Sequence, residues 1–253
     1  MEILKAIGLF FAGIIGGLYA ANVGGGALIS FPLLLLTGLP TASAIATQRL
    51  AAVILEGGAA LKFYRTKNLN LKLGIFLGIA AAAGSLLGSK ILISINERHL
   101  NLIIGILLFF ITIFILFKDR FGIKEIKLSK IHFAQLFIFT FLLGIYGGFF
   151  GAGFGIFIMM LLVFFGLTYI KGAAIGRLVG FFMSITAAIV FANSGLINYL
   201  YGLSLGFGFA VGGWIGIGYA IKKGEGFVKG LLVIVVIMSI LKLISGFFNI
   251  KII

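Results

Sequence analysis

Residues 22–40 hold the pattern that decides the fold, a glycine cluster followed by a short apolar run: Asn22-Val-Gly-Gly-Gly-Ala-Leu-Ile-Ser-Phe-Pro-Leu-Leu-Leu-Leu-Thr-Gly-Leu-Pro40. Because glycine is a poor helix former, the cluster at residues 22–26 interrupts the apolar segment that precedes it. Residues 27–37 then number about 11 and span about 16 Å as a helix, against a hydrocarbon core of about 30 Å. The pattern predicts a half-length helix that starts at membrane depth, as in discontinuous helices that line a site.

The composition of the whole chain is that of a membrane protein. Of its 253 residues, 62% are hydrophobic and 10% are charged, whereas a soluble domain carries about 25% charge. The net charge of +14 comes mostly from loops between apolar runs, where basic residues set topology and meet lipid headgroups, so we expect no nucleic-acid partner. The chain has no cysteine, which excludes disulfides and thiolate metal sites.

A shift of 128 residues aligns two halves of the chain without a gap. Charged and polar residues match at this offset, which glycine richness does not explain: Arg49 with Arg177, Asn70 with Asn198, and Glu97 with Glu225. We predict a first transmembrane repeat at residues 1–118, a basic linker at 119–130 and a second repeat at 131–253. The N-terminal apolar segment recurs near residues 131–149, so we expect a retained helix there rather than a signal peptide.

The predicted fold is an all-α integral membrane protein with two inverted-topology repeats of about five helical segments each, and glycine-broken half-helices near the midplane. In the first half, helices are expected to about residue 21 and near residues 27–37, 41–62, 71–93 and 100–117. In the second half, they are expected near residues 131–150, 155–165, 168–192, 199–221 and 228–248.

Clusters of lysine and arginine in three loops predict the orientation of these helices. The loops at residues 62–72, 118–130 and 222–229 are basic, which is typical of the cytoplasmic side. The repeat equivalent of the first loop, near residues 190–200, carries no charge. Three cytoplasmic basic loops require the two halves to cross in opposite senses, with both termini outside, as in inverted-repeat transporters.

Two arginines are the residues that point most clearly to a function. Arg49 and Arg177 each lie about eight residues inside an apolar segment, where an arginine costs at least about 2.5–3.5 kcal/mol and should face the protein interior or a wet cavity. A guanidinium stays charged and its five donors suit an oxyanion. The alternative is a structural arginine that holds helix-end carbonyls or pairs with an internal acid. Since both occupy equivalent positions, we expect an anion site between them.

The glycine breaks would add the positive ends of two half-helices to this site, unless they serve only close packing. The predicted substrate-binding residues are Arg49, Arg177, Asn22, Gly24, Gly25, Gly26, Gln48, Gly153, Phe154 and Gly155. Other glycines with small-xxx-small spacing indicate helix packing: Gly74 and Gly78, Gly84 and Gly88, Gly202 and Gly206, and Gly212 and Gly216.

Glu56 is the only acid well inside a predicted span. It lies seven residues after Arg49, on the same helix face and about 10 Å away. Its role stays open between an ion pair with Arg49, an ion pair with Lys62 and a proton-coupling site, and we favour a structural ion pair. Its equivalent in the second half is Ser184, so a coupling role would be asymmetric.

The chain resembles the sulfite exporter TauE/SafE family of membrane proteins. The likeness lies in residues 24–32 (Gly-Gly-Gly-Ala-Leu-Ile-Ser-Phe-Pro), the turn Gly38-Leu39-Pro40 and the basic stretch at residues 68–74, with a weaker copy at residues 151–167. The resemblance implies an exporter or permease for sulfite, organosulfonates or related small anions. Many members have Gly-Thr-Ser where this chain has Ala46-Thr47-Gln48-Arg49, so the resemblance does not transfer a substrate.

These observations predict a secondary transporter that exports a small anion across the cytoplasmic membrane. We expect no cofactor, no metal and no enzymatic activity, since the sequence shows no nucleophile–base pair or metal-ligand cluster. The expected partners are the anionic substrate and the lipid bilayer, and homo-oligomerisation stays open. The alternatives are a channel-like or cation-coupled permease that uses Glu56, and a membrane scaffold that transports nothing.

Overall fold

The computed structural model describes residues 1–23, 26–117 and 130–219, which form helices and no strand. The helices are α1 (Glu2–Val23), α2 (Gly26–Leu36), α3 (Thr41–Arg65), α4 (Leu71–Ser94), α5 (Glu97–Phe117), α6 (Lys130–Phe149), α7 (Phe154–Phe164), α8 (Tyr169–Asn193) and α9 (Tyr199–Tyr219). The prediction of helices in these places is confirmed. The helix expected near residues 228–248 and residues 119–129 of the expected linker lie outside the described residues.

Two helix boundaries differ by three residues from the sequence expectation. Helix α5 begins at Glu97 rather than near residue 100, because the Asn96 side chain accepts a hydrogen bond from the His99 N–H at 3.0 Å and caps the first turn. Helix α3 continues to Arg65, since basic residues in a last turn interact favourably with the negative end of the helix dipole. Lys130, expected in the linker, is the first residue of α6.

Several helices have the dimensions of membrane spans. Within the described part of the chain, four are long and apolar enough to cross a bilayer: Thr41–Arg65, Leu71–Ser94, Ile131–Phe149 and Tyr169–Asn193. Helices α2 and α7 are apolar but have only 11 residues each, so each covers about half of that thickness.

The helices of the two halves pack in a reciprocal pattern. Helix α1 packs along α9 and α6 packs along α4, and the 128-residue shift exchanges these two pairs. The contacts are close because the facing residues are glycines: a methyl group at Gly84 or Gly88 would collide with the α6 backbone, and one at Gly212 with the α1 backbone. The predicted packing role is confirmed for these three glycines.

Helices α3 and α8 form the central pair and run in opposite directions. Arg49, early in α3, contacts Met183 in the second half of α8, whereas Glu56, later in α3, contacts Arg177 near the start of α8. The later of the two α3 residues therefore contacts the earlier of the two α8 residues, as expected for antiparallel helices. Because α3 and α8 are equivalent under the 128-residue shift, the two arginines lie on opposite sides of the crossing.

The half-helices begin beside the middle of the central pair. Gly26, the first residue of α2, faces Leu55 of α3, and Gly147 of α6 faces both Phe154, the first residue of α7, and Met183 of α8. Leu55 and Met183 each lie within two residues of the centre of their helix. The apolar core surrounds these half-helices and the buried faces of α3 and α8.

Equivalent glycines end the two half-helices. Gly38 follows α2 with φ +98° and Gly166 follows α7 with φ +90°. Both values lie in the left-handed region, which glycine enters without a steric penalty and other residues avoid. The same backbone turn therefore leads each half-helix into the next long helix.

Candidate functional site

Arg49 is a buried cation with few hydrogen-bond acceptors around it. The residue is 2% exposed; its Nη2 donates to the Phe150 carbonyl at 3.2 Å, and its Nη1 lies 3.6 Å from the Met183 sulfur, a weak acceptor. Its Nε has no hydrogen-bond partner, and no carboxylate among the described residues contacts the guanidinium.

The turn after α6 makes room for this guanidinium. Gly151 has φ +67°, and a Cβ at that position would lie 2.6 Å from the Arg49 Nη1. The Tyr146 hydroxyl donates to the Ala152 carbonyl and thereby ties the turn to α6. Gly153, with φ +78°, then precedes α7. The glycines of the second break therefore give Arg49 its place, as well as ending a helix.

Arg177 lies in the corresponding position of the second half, and both of its terminal nitrogens have oxygen partners. Its Nη1 is 3.1 Å from both carboxylate oxygens of Glu56, and its Nη2 donates to the Ala20 carbonyl in the last turns of α1. Gly180 leaves room for the carboxylate, since a Cβ there would lie 3.2 Å from the Glu56 Cδ. The positive charge of Arg177 is thus compensated inside the protein.

This arrangement corrects the partner expected for Glu56. The structure contains the favoured ion pair, but with Arg177 rather than with Arg49 or Lys62. The antiparallel crossing of α3 and α8 places Glu56 opposite Arg177, whereas Arg49 is two turns away on the same helix. Lys62 instead donates to the Trp214 carbonyl at 2.7 Å.

The two arginines share a structural role at helix ends. Phe150 directly follows α6 and Ala20 lies near the end of α1, so each guanidinium binds a carbonyl at the end of the first helix of the opposite half. A helix C-terminus carries partial negative charge, which a nearby cation stabilises. Contacts of the kind expected for structural arginines are therefore present at both positions, and the acid is present at only one.

The remaining predicted residues form two groups rather than one pocket. Gly153 directly precedes α7, and Phe154 and Gly155 are its first two residues. The Phe154 ring and the Met183 side chain both lie beside Gly147, and Met183 contacts Arg49. Gly26 faces Ala20, whose carbonyl binds Arg177. The other members are Gln48, which is buried next to Arg49 in α3, Asn22, which lies in the last turn of α1, and Gly24 and Gly25, which lie outside the described residues.

Sequence reasoning did not identify Met183 as a contact of Arg49, and it gave no role to Ser184, the next residue on α8. Ser184 occupies the position equivalent to Glu56, is 1% exposed, and its hydroxyl has no hydrogen-bond partner. The repeat alignment could have drawn attention to Ser184, because it pairs Arg49 with Arg177 but pairs the acid Glu56 with this serine. Within the described residues, no group of three or more His, Cys, Asp or Glu could hold a metal ion.

Comparisons with known proteins find relatives among membrane transporters. Residues 9–243 match the family model described as sulfite exporter TauE/SafE. A probable membrane transporter protein of Sinorhizobium, ORF9, is 30% identical over 94% of this chain and 91% of its own length. A probable membrane transporter protein of Haemophilus influenzae is 30% identical over 77% of this chain and 76% of its own length. No solved structure gives a significant match.

Proposed function

Since the chain belongs to the sulfite exporter TauE/SafE family and is a multi-pass membrane transporter, we propose that it exports a small oxyanion through a site between its two halves. Sulfite, organosulfonates and related anions are the substrate class that the family description suggests. The proposed site lies around Arg49 and Arg177, as expected from the sequence, and Arg49 is the residue that binds the anion.

The observation that carries this proposal is the unbalanced charge of Arg49. Charged side chains at membrane depth are costly, and buried ones normally pair. Arg177 obeys that rule through Glu56, whereas Arg49 has a carbonyl, a thioether and an unpaired Nε. An anion bound beside Arg49 would supply the missing negative charge and accept the free donor.

Access from both sides would follow from an inverted arrangement of the two repeats. The antiparallel course of the equivalent helices α3 and α8 supports it, as do the half-helices that begin beside the middle of each. The basic loops at residues 62–72, 118–130 and 222–229 would then face the cytoplasm and both termini would lie outside. An inside-negative potential would favour outward movement of an anion by about 2.3 kcal/mol per charge per 100 mV.

Purified protein in liposomes tests this proposal, with flux measured for sulfite, sulfate, thiosulfate, sulfoacetate and small carboxylates. Arg49→Ala should abolish the flux of the transported anion while the protein still inserts and folds. Thr140→Val is a matched control, because Thr140 is also buried with an unpaired hydroxyl but lies ten residues before Phe150 on α6, about 15 Å along the axis. Undiminished flux in Arg49→Ala would refute the central site.

The cation-coupled alternative makes the opposite prediction. A permease that uses Glu56 as its ligand would lose all flux in Glu56→Gln and keep most of it in Arg49→Ala. Because Glu56 also holds Arg177, the flux of Glu56→Gln must be read beside a folding measurement, such as its elution as a single species from a size-exclusion column. A folded Glu56→Gln protein that transports an anion would exclude this alternative.

A further inference from the structure

We propose that the head group of the transported oxyanion binds between Arg49 and Ser184, in the position that the Glu56 carboxylate takes beside Arg177 in the other half. The inference rests on the proposed function and names a residue and a ligand chemistry for it. Its basis is that the two halves share one framework and differ in one acceptor.

The Arg177 end shows how the framework holds a carboxylate. There, one guanidinium nitrogen binds a helix-end carbonyl and another binds the carboxylate of residue 56 from the opposing central helix. A shift of 128 residues turns Arg177 into Arg49 and Glu56 into Ser184. The helix-end carbonyl bond recurs at Arg49, and the contact of Arg49 with Met183 places it beside the residue that precedes Ser184 on α8.

Two hydrogen-bond donors of the residues at the Arg49 end lack an acceptor among the described residues. The Arg49 Nε and the Ser184 Oγ are fully buried and neither has a partner. Buried polar groups in native proteins are nearly always satisfied, so two unpaired donors at equivalent positions of a known ion pair call for an explanation. An alanine at position 184 would avoid the cost of burying an unpaired hydroxyl. An oxyanion accepts from both donors.

The surroundings define the chemical class of the ligand. One guanidinium that no carboxylate of the described residues contacts matches one negative charge, and the groups that it does contact add no second charge: Met183 supplies a thioether and Phe150 a backbone carbonyl. The head group must also present at least two oxygens, one to Arg49 and one to Ser184, as the Glu56 carboxylate presents both of its oxygens to Arg177. A sulfonate, a hydrogen sulfite ion or a carboxylate meets these conditions.

Ser184→Glu tests the inference by attaching the carboxylate to the protein. The tethered carboxylate would pair with Arg49 as Glu56 pairs with Arg177, and it would exclude the free anion. Ser184→Gln is the matched control, because it adds almost the same volume without a charge. We expect Ser184→Glu to melt at a higher temperature than Ser184→Gln in detergent, and to show no further stabilisation by methanesulfonate or hydrogen sulfite.

Ser184→Ala serves if the larger side chains prevent folding. Loss of one hydrogen bond to a charged ligand should weaken anion binding about tenfold, measured as the concentration of methanesulfonate or hydrogen sulfite that half-maximally stabilises the protein. Thr140→Val should leave that concentration unchanged. If the wild type binds an anion and both Ser184→Glu and Ser184→Ala bind it equally well, this inference is wrong and the proposed function stands. If the wild type neither binds nor transports any anion of the panel, the proposed function is wrong.

Discussion

At one end of the central helix pair, Arg177 binds a helix-end carbonyl and a carboxylate, and every charge is balanced. At the equivalent end, Arg49 binds a helix-end carbonyl and a thioether, and residue 184 is a serine. Both arginines therefore join α3 and α8 to the helix ends of the opposite half. The two halves therefore share one framework and differ, in the part of the chain that the structure describes, in whether the protein itself supplies a carboxylate to the arginine, and the proposed anion site depends on that difference.

The largest expected effect is a difference in stability between a variant at the Arg177 end and the equivalent variant at the Arg49 end. Glu56→Gln removes the counter-charge of Arg177 and leaves a buried cation unpaired, which should lower the free energy of unfolding by about 3–5 kcal/mol. Ser184→Ala, at the equivalent position, removes only an unsatisfied buried hydroxyl, so it should leave the free energy of unfolding unchanged or raise it by up to about 1–3 kcal/mol. Reversible unfolding in mixed micelles measures both, and similar losses in the two variants would mean that the ends do not differ in charge balance.

The next effect should be the same in both halves, because it concerns the framework. Gly84→Ala and Gly212→Ala occupy equivalent positions, and each added methyl group would collide with the backbone of a neighbouring helix. Overpacking of this kind costs about 1–3 kcal/mol. Gly8→Ala is the control, since a Cβ there meets nothing within 4 Å, and thermal melting of the three variants should show two lowered midpoints and one unchanged or raised. A lower melting temperature in only one of the two variants, Gly84→Ala or Gly212→Ala, would show that the two halves do not pack equivalently.

A smaller pair of effects tests the turns after the half-helices. Gly38→Ala and Gly166→Ala would each force a side chain into the left-handed region at φ +98° and +90°, at a cost of about 1–2 kcal/mol. Because a Cβ at Gly38 meets nothing within 4 Å, backbone conformation alone sets its penalty. The two losses, measured by thermal melting, should agree within about 0.5 kcal/mol; a larger difference would show that the turns do not carry equal strain.

The smallest change in stability is expected where the largest change in transport is expected. Arg49→Met keeps the length and apolar stem of the side chain and removes a charge that has no acidic partner among the described residues. Replacing a buried charge by an apolar group of similar shape is often neutral or stabilising. In anion-free buffer its melting temperature should match or exceed that of the wild type, whereas Arg177→Met, which strands Glu56, should melt lower. Equal melting of the two variants would contradict the comparison.

Sequence patterns predicted the helices well because apolar runs, glycine clusters and basic ends act locally. The half-helices α2 and α7 could be placed within one residue, since a glycine break and an 11-residue run leave few alternatives. The partner of Glu56 could not be predicted, because it depends on the packing of α3 against α8 and on the point along the helices where they meet. Helical spacing favoured Arg49, on the same face, and only the antiparallel crossing brings Arg177 closer.

The candidate site shows the same limit. The sequence singled out Arg49 and Arg177 from their depth in apolar segments, and the structure buries both. The sequence could not show that the Phe150 and Ala20 carbonyls bind the two arginines, because every residue has a backbone carbonyl and the sequence does not indicate which one accepts. Only the side-chain contacts between the two halves show that Arg177 is paired with an acid and that Arg49, within the described residues, is not.

Equilibrium binding of ³⁵S-labelled sulfite to the purified wild-type and Arg49→Met proteins measures whether Arg49 binds the anion. We expect one site per chain in the wild type and in Thr140→Val, and binding at least about a hundredfold weaker in Arg49→Met, which remains folded. A folded Arg49→Met protein that binds sulfite as tightly as a sulfite-binding wild type would contradict the assignment of Arg49 as the anion-binding cation.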